Sequence, residues 1–198
     1  MTVLVAVTGG IGSGKSTFSK EVLKKGLKLH DADKEVSKLY LKPNQAFLKY
    51  LKFIGLGESI KNKKINKKIV SNIVFNNHSI KKKLENYIFK IVRISRKKFI
   101  DKEKKNNTNI IFVDIPLLFE NNLDKDFKIV ISIISSRKNR YLRLKKSKGI
   151  NQQLFKKIIN SQTTDIIRKK RSHIVIYNNK GIIEYIDKIS KTLERIVP

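Results

Sequence analysis

One short stretch constrains the fold more than any other, the glycine-rich run that follows the first apolar segment. The run reads VAVTGGIGSGKST and covers residues 5–17. Gly9, Gly14, Lys15 and Ser16 fit the P-loop pattern G-x-x-x-x-G-K-[ST] in full. The β-branched residues before it predict a buried parallel strand, and the residues after it predict a helix. This context argues against a chance glycine-rich turn, so we predict a phosphate-binding loop.

Each residue type in the loop has a physical reason. Glycines permit backbone angles that side chains forbid, so the backbone N–H groups can turn inward around a β-phosphate. We predict that Lys15 bridges the β- and γ-phosphates, that Ser16 ligates Mg²⁺ and that Thr17 reaches the α-phosphate. The implied cofactor is Mg²⁺, bound together with a nucleoside triphosphate. The predicted nucleotide-binding residues are Gly10, Ile11, Gly12, Ser13, Gly14, Lys15, Ser16 and Thr17. The pattern alone does not separate a kinase from a GTPase or a DNA-dependent ATPase.

The remaining pattern predicts an α/β fold of the P-loop NTPase type. Further strands are predicted at LKLH, IIFVD, FKIVISII and HIVIYN, and helices lie between them. Such alternation predicts a three-layer α/β/α arrangement with a mainly parallel five-stranded sheet. We treat residues 1–198 as a single kinase unit. The predicted parts are a core at about 1–42, 106–134 and 172–198, a helical insertion at about 43–105 and a helical lid at about 135–171.

Local patterns inside the insertion and the lid lead to more specific predictions. Apolar residues from Ile65 onward recur at four-residue spacing, which predicts helices up to about Lys105. The preceding segment, residues 55–68, is predicted to be an exposed loop. In the lid, we predict one helix over residues 137–149 and another over residues 152–160.

The strongly basic composition does not by itself indicate a nucleic-acid partner. The formal net charge is +29, but the basic residues are mostly lysines spread along the whole chain. Lysine, isoleucine and asparagine share A/T-rich codons, so a biased genome produces this composition without a polyanion partner. We expect only non-specific binding to nucleic acid. The chain has no cysteine, no apolar run long enough for a membrane span and no signal-peptide pattern, so we expect a cytoplasmic protein.

Two groups of charged residues are candidates for phosphoryl transfer. Asp31 and Asp33, in the stretch LHDAD, follow the second predicted strand, and ligands of open parallel sheets bind at that edge. One of these carboxylates can accept the proton of an attacking hydroxyl, although Asp33 could instead cap the next helix. Arg137, Arg140 and Arg143 stand three apart, so they share one helix face. They suit a lid that closes over phosphate, and an ordinary charged helix is the alternative.

Together these segments resemble the dephospho-CoA kinase family over nearly the whole chain. The segments that carry the resemblance are TGGIGSGKST at 8–17, DAD at 31–33, DIPLLFE at 114–120, Gln162, Arg168 and VIYNNKG at 175–181. The sequence departs from the family at three places. Phe89-Lys90 replaces a His-Pro pair, Ser147 replaces a lid arginine, and Ser172-His173 replaces an Ala-Asp pair.

The resemblance implies transfer of the γ-phosphoryl group of ATP to the 3′-hydroxyl of the ribose of dephospho-CoA, the last step of coenzyme A synthesis. It implies that Asp33 is the general base and that Arg140 or Arg143 is the lid cation, beside Lys15 as a catalytic residue. It makes the insertion the acceptor-binding region. The residues expected at the acceptor are Asp31, Asp33, Leu117 and Leu118.

Two other functions stay open from the residues alone. A nucleoside or nucleotide kinase would use the same phosphate-binding loop. A basic P-loop ATPase acting on nucleic acid would follow from the charge, but it needs aromatic stacking platforms, and residues 137–149 hold only Tyr141. The partners that the resemblance implies are ATP and dephospho-CoA, and we expect no specific nucleic acid and no membrane as partners. The sequence indicates no oligomeric state.

Overall fold

The computed structural model describes residues 2–197. They fall into two compact units, one built from the chain up to Asp31 and from Ile100 onward, the other from Ala32–Phe99. The insertion predicted at 43–105 overlaps the second unit. The predicted boundaries themselves stay a prediction.

The first unit is built on a five-stranded parallel sheet. The strands are β1 (Val3–Gly9), β2 (Lys28–Asp31), β5 (Ile110–Asp114), β6 (Ile129–Ile134) and β7 (Ile174–Tyr177), in the order β2-β5-β1-β6-β7. The central strands are apolar runs buried on both faces, as parallel strands covered by helices must be. The predicted five-stranded parallel sheet is confirmed, and β1 at its centre leads directly into the glycine-rich loop.

Two helices form the core of this unit with the sheet. Helix α1 (Lys15–Lys24) buries Phe18 and Val22, and helix α9 (Ile182–Ile196) buries Tyr185, Ile189 and Leu193. These side chains share one cluster with the β-branched residues of the strands. The four-residue spacing on α9 puts its buried residues on one helix face. The helix predicted directly after the glycine-rich run is confirmed by α1.

Three helices lie in the region predicted as the lid, and all belong to the first unit. They are α6 (Arg137–Lys148), α7 (Gln152–Asn160) and α8 (Asp165–Arg171). A side-chain oxygen of Ser136, Asn151 or Thr164 accepts a backbone N–H at the start of each helix, which supplies the cap that helix N-termini require. Gly149 ends α6 at a φ of +63°, a left-handed angle that glycine adopts without strain. The helices predicted at 137–149 and 152–160 are confirmed.

The second unit is mostly helical, with its own core. Its helices are α2 (Ala32–Leu41), α3 (Gln45–Phe53), α4 (Lys67–Asn76) and α5 (His78–Lys105), the last of which continues into the chain of the first unit. Phe47, Leu51, Leu56, Val70 and Leu84 are buried together. Tyr50 and Tyr87 stack with their ring centroids 4.1 Å apart beside this core. The predicted helical character of the segment after Gln45 is confirmed for these helices.

The expectation of an exposed loop at 55–68 was wrong. The segment holds a helical turn at Gly57–Ser59 and an antiparallel pair of short strands, β3 (Ile60–Lys61) and β4 (Lys64–Ile65). Asn62 and Lys63 make the turn between the strands with positive φ angles of 50° and 59°. Two successive left-handed residues are the geometry of tight hairpins, and lysine is an unusual residue there, so the turn carries no recognisable hairpin pattern.

Within residues 2–197, none of the helices combines the length and apolar character that crossing a bilayer requires.

Candidate active site

The glycine-rich loop lies where the predicted phosphate site requires it, between the carboxyl end of β1 and the start of α1. Gly14 caps α1 with φ 111° and ψ 17°, and the helix begins at Lys15. Ser16 and Thr17 therefore stand in the first helical turn, where free N–H groups and the helix dipole favour an anion. Ser16 is exposed, and Lys15 and Thr17 are half-buried. Their predicted contacts with phosphate stay predictions.

Side-chain donors hold the loop from its carbonyl side. Arg140 Nε donates to Ile11 O at 2.8 Å, and Arg143 Nη1 donates to Gly12 O at 3.3 Å. The next two carbonyls are also bonded. Asn178 Nδ2 donates to Ser13 O at 2.8 Å, and Tyr185 Oη donates to Gly14 O at 3.0 Å. The carbonyl groups of residues 11–14 are thus bonded by side chains from three different parts of the chain.

The two arginines predicted for the lid are both placed at this loop. Arg140 is only 3% exposed and has an ion pair with Asp165 at 3.7 Å. Arg143 also donates to Asn178 O and Asn178 Oδ1, at 3.0 Å each. Burial lowers the pKa of Arg140 and the pKa of Arg143, but arginine stays protonated at neutral pH. The loop is therefore flanked by two fixed positive charges.

Gln162 links the loop to the helices of the predicted lid. Its Oε1 accepts the N–H of Ile11 at 3.0 Å and Arg140 Nη2 at 3.4 Å. The next residue, Thr163, donates its N–H to Glu120 at 2.7 Å. The buried Arg168 then bonds both Glu120 and Asp165. A chain of hydrogen bonds therefore runs from the P-loop through the α7–α8 connection to the DIPLLFE segment.

Three of the residues that support the loop were not predicted as site residues. Gln162 and Asn178 lie in segments that carry the family resemblance, and that resemblance is the sequence feature that marks them as candidate site residues. Tyr185 gave no such signal, because an aromatic residue at helical spacing is read as a core residue. Its ring is indeed in the core, and its hydroxyl reaches the loop.

Carboxylates lie at the same sheet edge. Asp31 ends β2 and pairs in register with Asp114 at the end of β5, which in turn is in register with Val7 of β1. Ser19 Oγ of α1 donates to Asp114 Oδ2 at 3.2 Å. Asp114 was part of the quoted DIPLLFE segment but was not assigned a role. The carboxyl ends of these adjacent parallel strands thus carry two carboxylates beside the strand that precedes the P-loop.

Asp33 belongs to the second unit and is exposed in the first turn of α2. The helix already begins at Ala32, so Asp33 is inside it rather than before it. The role of Asp33 as general base stays a prediction.

The two leucines predicted at the acceptor differ in exposure. Leu118 is fully buried in the first unit, whereas Leu117 is half-buried. Part of the Leu117 side chain is therefore accessible and none of the Leu118 side chain is, and their predicted role at the acceptor stays a prediction.

The donors at the sheet edge fit Mg²⁺. No group of three or more His, Cys, Asp or Glu within residues 2–197 is arranged to hold a metal on its own. Magnesium in phosphoryl-transfer sites usually takes only one or two protein oxygens and fills its shell with phosphate and water. The Ser16 hydroxyl and the Asp114 and Asp31 carboxylates supply hard oxygen donors of this kind.

The close packing around Gly14 leads to a prediction about stability. A Cβ on Gly14 would overlap Asn178 Nδ2 and lie 3.1 Å from Tyr185 Cε1, at a φ that side chains rarely adopt. We expect Gly14→Ala to lower the free energy of unfolding by about 1–3 kcal/mol, measured by denaturant titration. Gly26→Ala is the matched control, because Gly26 also has a left-handed φ of 72° but no atom within 4 Å of its Cβ position. An equal loss in both variants would mean that the contacts with Asn178 and Tyr185 carry no cost.

Comparison with known proteins identifies the relatives of the chain. The family model for dephospho-CoA kinase matches residues 3–184. The dephospho-CoA kinase of Fusobacterium nucleatum is 34% identical over 195 residues, covering 98% of both chains. That of Geobacillus kaustophilus is 32% identical over 182 residues, covering 90% of this chain and 89% of the other.

Solved structures agree with the sequence comparisons. The dephospho-CoA kinase from Campylobacter jejuni has a TM-score of 0.72 and 30% identity, and the match covers 99% of this chain and 98% of the other. A Thermus thermophilus structure, TT1252, has a TM-score of 0.79 at 20% identity, with 100% and 98% of the chains covered. Shikimate kinase from Acinetobacter baumannii shares the fold alone, with a TM-score of 0.52 and 14% identity over 100% and 94% of the chains. The predicted P-loop kinase fold is confirmed.

Proposed function

The chain belongs to the dephospho-CoA kinase family, and we propose that it transfers the γ-phosphoryl group of ATP to the 3′-hydroxyl of the ribose of dephospho-CoA. ATP-dependent phosphorylation of dephospho-CoA, a step of coenzyme A synthesis, is the reaction of this family. The observation that carries the proposal is a complete P-loop at the end of the central strand, in a chain whose family match spans residues 3–184. We infer that the reaction takes place in the cytoplasm.

In this proposal the P-loop binds and orients the triphosphate. Backbone N–H groups of the loop, among them those of Gly14 and Lys15, face the β-phosphate, and the Lys15 side chain bridges the β- and γ-phosphates. Lys15 and the dipole of α1 stabilise negative charge on the transferring group, which is the main form of catalysis in phosphoryl transfer. Arg140 and Arg143 add positive charge on the outer side of the loop, where their bonds to Ile11 O and Gly12 O hold it. No covalent intermediate with the enzyme is needed, because positioning supports direct in-line transfer.

The acceptor hydroxyl requires a base, and Asp33 takes that role. Asp33 stands two residues after Asp31, the last residue of β2, so the chain itself holds both carboxylates near one strand end. Asp33 accepts the proton of the 3′-hydroxyl as the hydroxyl oxygen attacks the γ-phosphorus. Asp31 and the half-buried Leu117 then contribute to acceptor binding. Leu118 supports the segment that carries Leu117.

Mg²⁺ bound with ATP would neutralise charge on the β- and γ-phosphate oxygens. The Ser16 hydroxyl would be its protein ligand, and the Asp114 and Asp31 carboxylates would help to hold it at the sheet edge. Ser19 Oγ donates a hydrogen bond to Asp114, so this carboxylate has a fixed orientation before any ligand binds.

A nucleoside or nucleotide kinase is the second candidate, because the same P-loop and lid would serve it. An ATPase acting on nucleic acid is a weaker candidate that depends on the net charge of +29. The three functions differ in the molecule that stimulates ADP release.

A coupled ADP-release assay with ATP and Mg²⁺ tests these candidates. Dephospho-CoA, adenosine, nucleoside monophosphates and single-stranded DNA are offered in parallel. We expect turnover with dephospho-CoA alone, and the product should carry its new phosphate on the 3′-oxygen by ³¹P NMR. Turnover with a nucleoside or its monophosphate would assign the chain to the second candidate. DNA-stimulated hydrolysis without transfer to dephospho-CoA would overturn the proposal.

A further inference from the structure

The bonds on the carbonyl side of the P-loop have a consequence for its amide side. A peptide unit is planar and almost always trans, so its C=O and the N–H of the following residue point in opposite directions. A donor that fixes one carbonyl therefore fixes the next amide. The hydrogen bond from Arg140 to Ile11 O therefore fixes the direction of the Gly12 N–H. The hydrogen bond from Arg143 to Gly12 O fixes the direction of the Ser13 N–H in the same way. The Ser13 N–H then closes a turn on Gly10 O at 3.1 Å.

The next two peptide units are fixed in the same way by uncharged donors. The hydrogen bond from Asn178 to Ser13 O orients the N–H of Gly14, and the hydrogen bond from Tyr185 to Gly14 O orients the N–H of Lys15. These are amides of the predicted β-phosphate site. The Gly14 carbonyl also accepts the N–H groups of Thr17 at 3.1 Å and Phe18 at 3.3 Å, so Tyr185 adds a side-chain bond to a peptide that the start of α1 already orients.

Asn178 and Tyr185 are themselves firmly held. Asn178 is 5% exposed, and its own Oδ1 accepts Arg143 Nη2 at 3.0 Å. Tyr185 is 2% exposed, and its ring packs in the core with Ile189 and Leu193. Burial raises the pKa of the Tyr185 phenol well above its usual range, so the hydroxyl stays protonated and donates at all physiological pH values.

We propose that Tyr185 and Asn178 are positioning residues for phosphoryl transfer, which aim the N–H groups of Lys15 and Gly14 at the β-phosphate of the nucleotide. They touch neither the nucleotide nor the acceptor in this role. A hydrogen bond to the carbonyl also polarises the peptide, which strengthens its N–H as a donor to an anion. The inference rests on the ATP-binding part of the proposed function and is independent of the acceptor.

Binding of ADP to two variants tests the proposal by isothermal titration calorimetry. Tyr185→Phe removes the phenol donor and keeps the ring in the core. Asn178→Asp keeps the acceptor for Arg143 and replaces only the donor to Ser13 O. We expect the dissociation constant for ADP to rise about 3- to 10-fold in Tyr185→Phe, the effect of one lost hydrogen bond. We expect an effect at least as large in Asn178→Asp, because a carboxylate oxygen then faces a carbonyl oxygen.

Thr192→Val is the matched control on the same helix. Its hydroxyl also donates to a carbonyl, Lys188 O, at 2.7 Å, but far along α9 from the loop. We expect this variant to bind ADP like the wild type. The melting temperature of each ligand-free variant separates folding from binding. A lower melting temperature with unchanged ADP affinity in Tyr185→Phe and Asn178→Asp would overturn the proposal, because a purely structural role predicts that result. Since ADP is the probe, failure of the dephospho-CoA assay would leave this test intact.

Discussion

Replacing Lys15 with alanine is expected to abolish phosphoryl transfer to dephospho-CoA. The lysine ammonium is the P-loop cation that we propose between the β- and γ-phosphates. It acts where negative charge shifts as the bond to the leaving oxygen breaks. Removing one fixed donor from such a site typically costs about 10²- to 10³-fold in kcat, and here a full charge is lost as well. Arg140 and Arg143 cannot replace it, because both are bonded to loop carbonyls.

The measurement is single-turnover phosphoryl transfer with saturating ATP and Mg²⁺. Lys20→Ala provides the control, since Lys20 is an exposed lysine on the same helix and the same substitution there removes the same net charge. We expect Lys20→Ala to retain wild-type kcat. Lys15 lies in the first turn of α1, where its removal leaves the buried face of the helix unchanged, so the melting temperature of Lys15→Ala should be close to that of the wild type. A Lys15→Ala variant with near-normal kcat would exclude Lys15 from the mechanism.

The parallel sheet and the phosphate loop were predictable because both follow from local rules. Buried parallel strands are short apolar runs rich in β-branched residues, and β1, β5 and β6 each contain such a run. The P-loop needs glycines and a lysine at fixed spacing, so its place at the start of α1 could be predicted from residues 9–16 alone. The hairpin at β3–β4 was missed because its strands are only two residues each, too short to show alternation.

The side-chain hydrogen bonds that hold the P-loop could not be predicted, because they join residues that are distant in sequence. Tyr185 and Gly14 are 171 positions apart, and Gln162 and Ile11 are 151 apart. Local periodicity says only that Tyr185 faces the core. Its hydroxyl meets Gly14 O because α9 packs against α1 and the sheet, and that packing is a property of the whole fold.

One departure from the family pattern has a physical explanation in the structure. Ser172-His173 stands where an Ala-Asp pair was expected. His173 Nδ1 accepts the N–H of Val130 at 3.0 Å, and Ser172 Oγ donates to Ser132 Oγ at 2.6 Å. An imidazole nitrogen and a carboxylate oxygen both accept hydrogen bonds. The backbone N–H of Val130 in β6 therefore still has an acceptor when His173 replaces the expected aspartate. The sequence showed the substitution but not the bond that the new side chain makes.

Replacing Asp33 with asparagine is expected to lower kcat by about 10²-fold or more, as loss of a general base does. Asparagine keeps the size of the side chain but cannot accept the proton of the acceptor hydroxyl. Because Asp33 is exposed in the first turn of α2, the substitution disturbs no buried contact. We therefore expect ADP affinity, measured by calorimetry, to stay within about 2-fold of the wild type, and the loss to appear in kcat rather than in nucleotide binding.

A matched aspartate elsewhere in the chain separates loss of the base from a general effect of removing one carboxylate. Asp101→Asn is the control, because Asp101 is an exposed aspartate of α5 to which no catalytic role is assigned. We expect it to keep the wild-type kcat. Should Asp33→Asn retain wild-type kcat, the carboxylate contributes only to the N-terminus of α2, and another group must accept the proton.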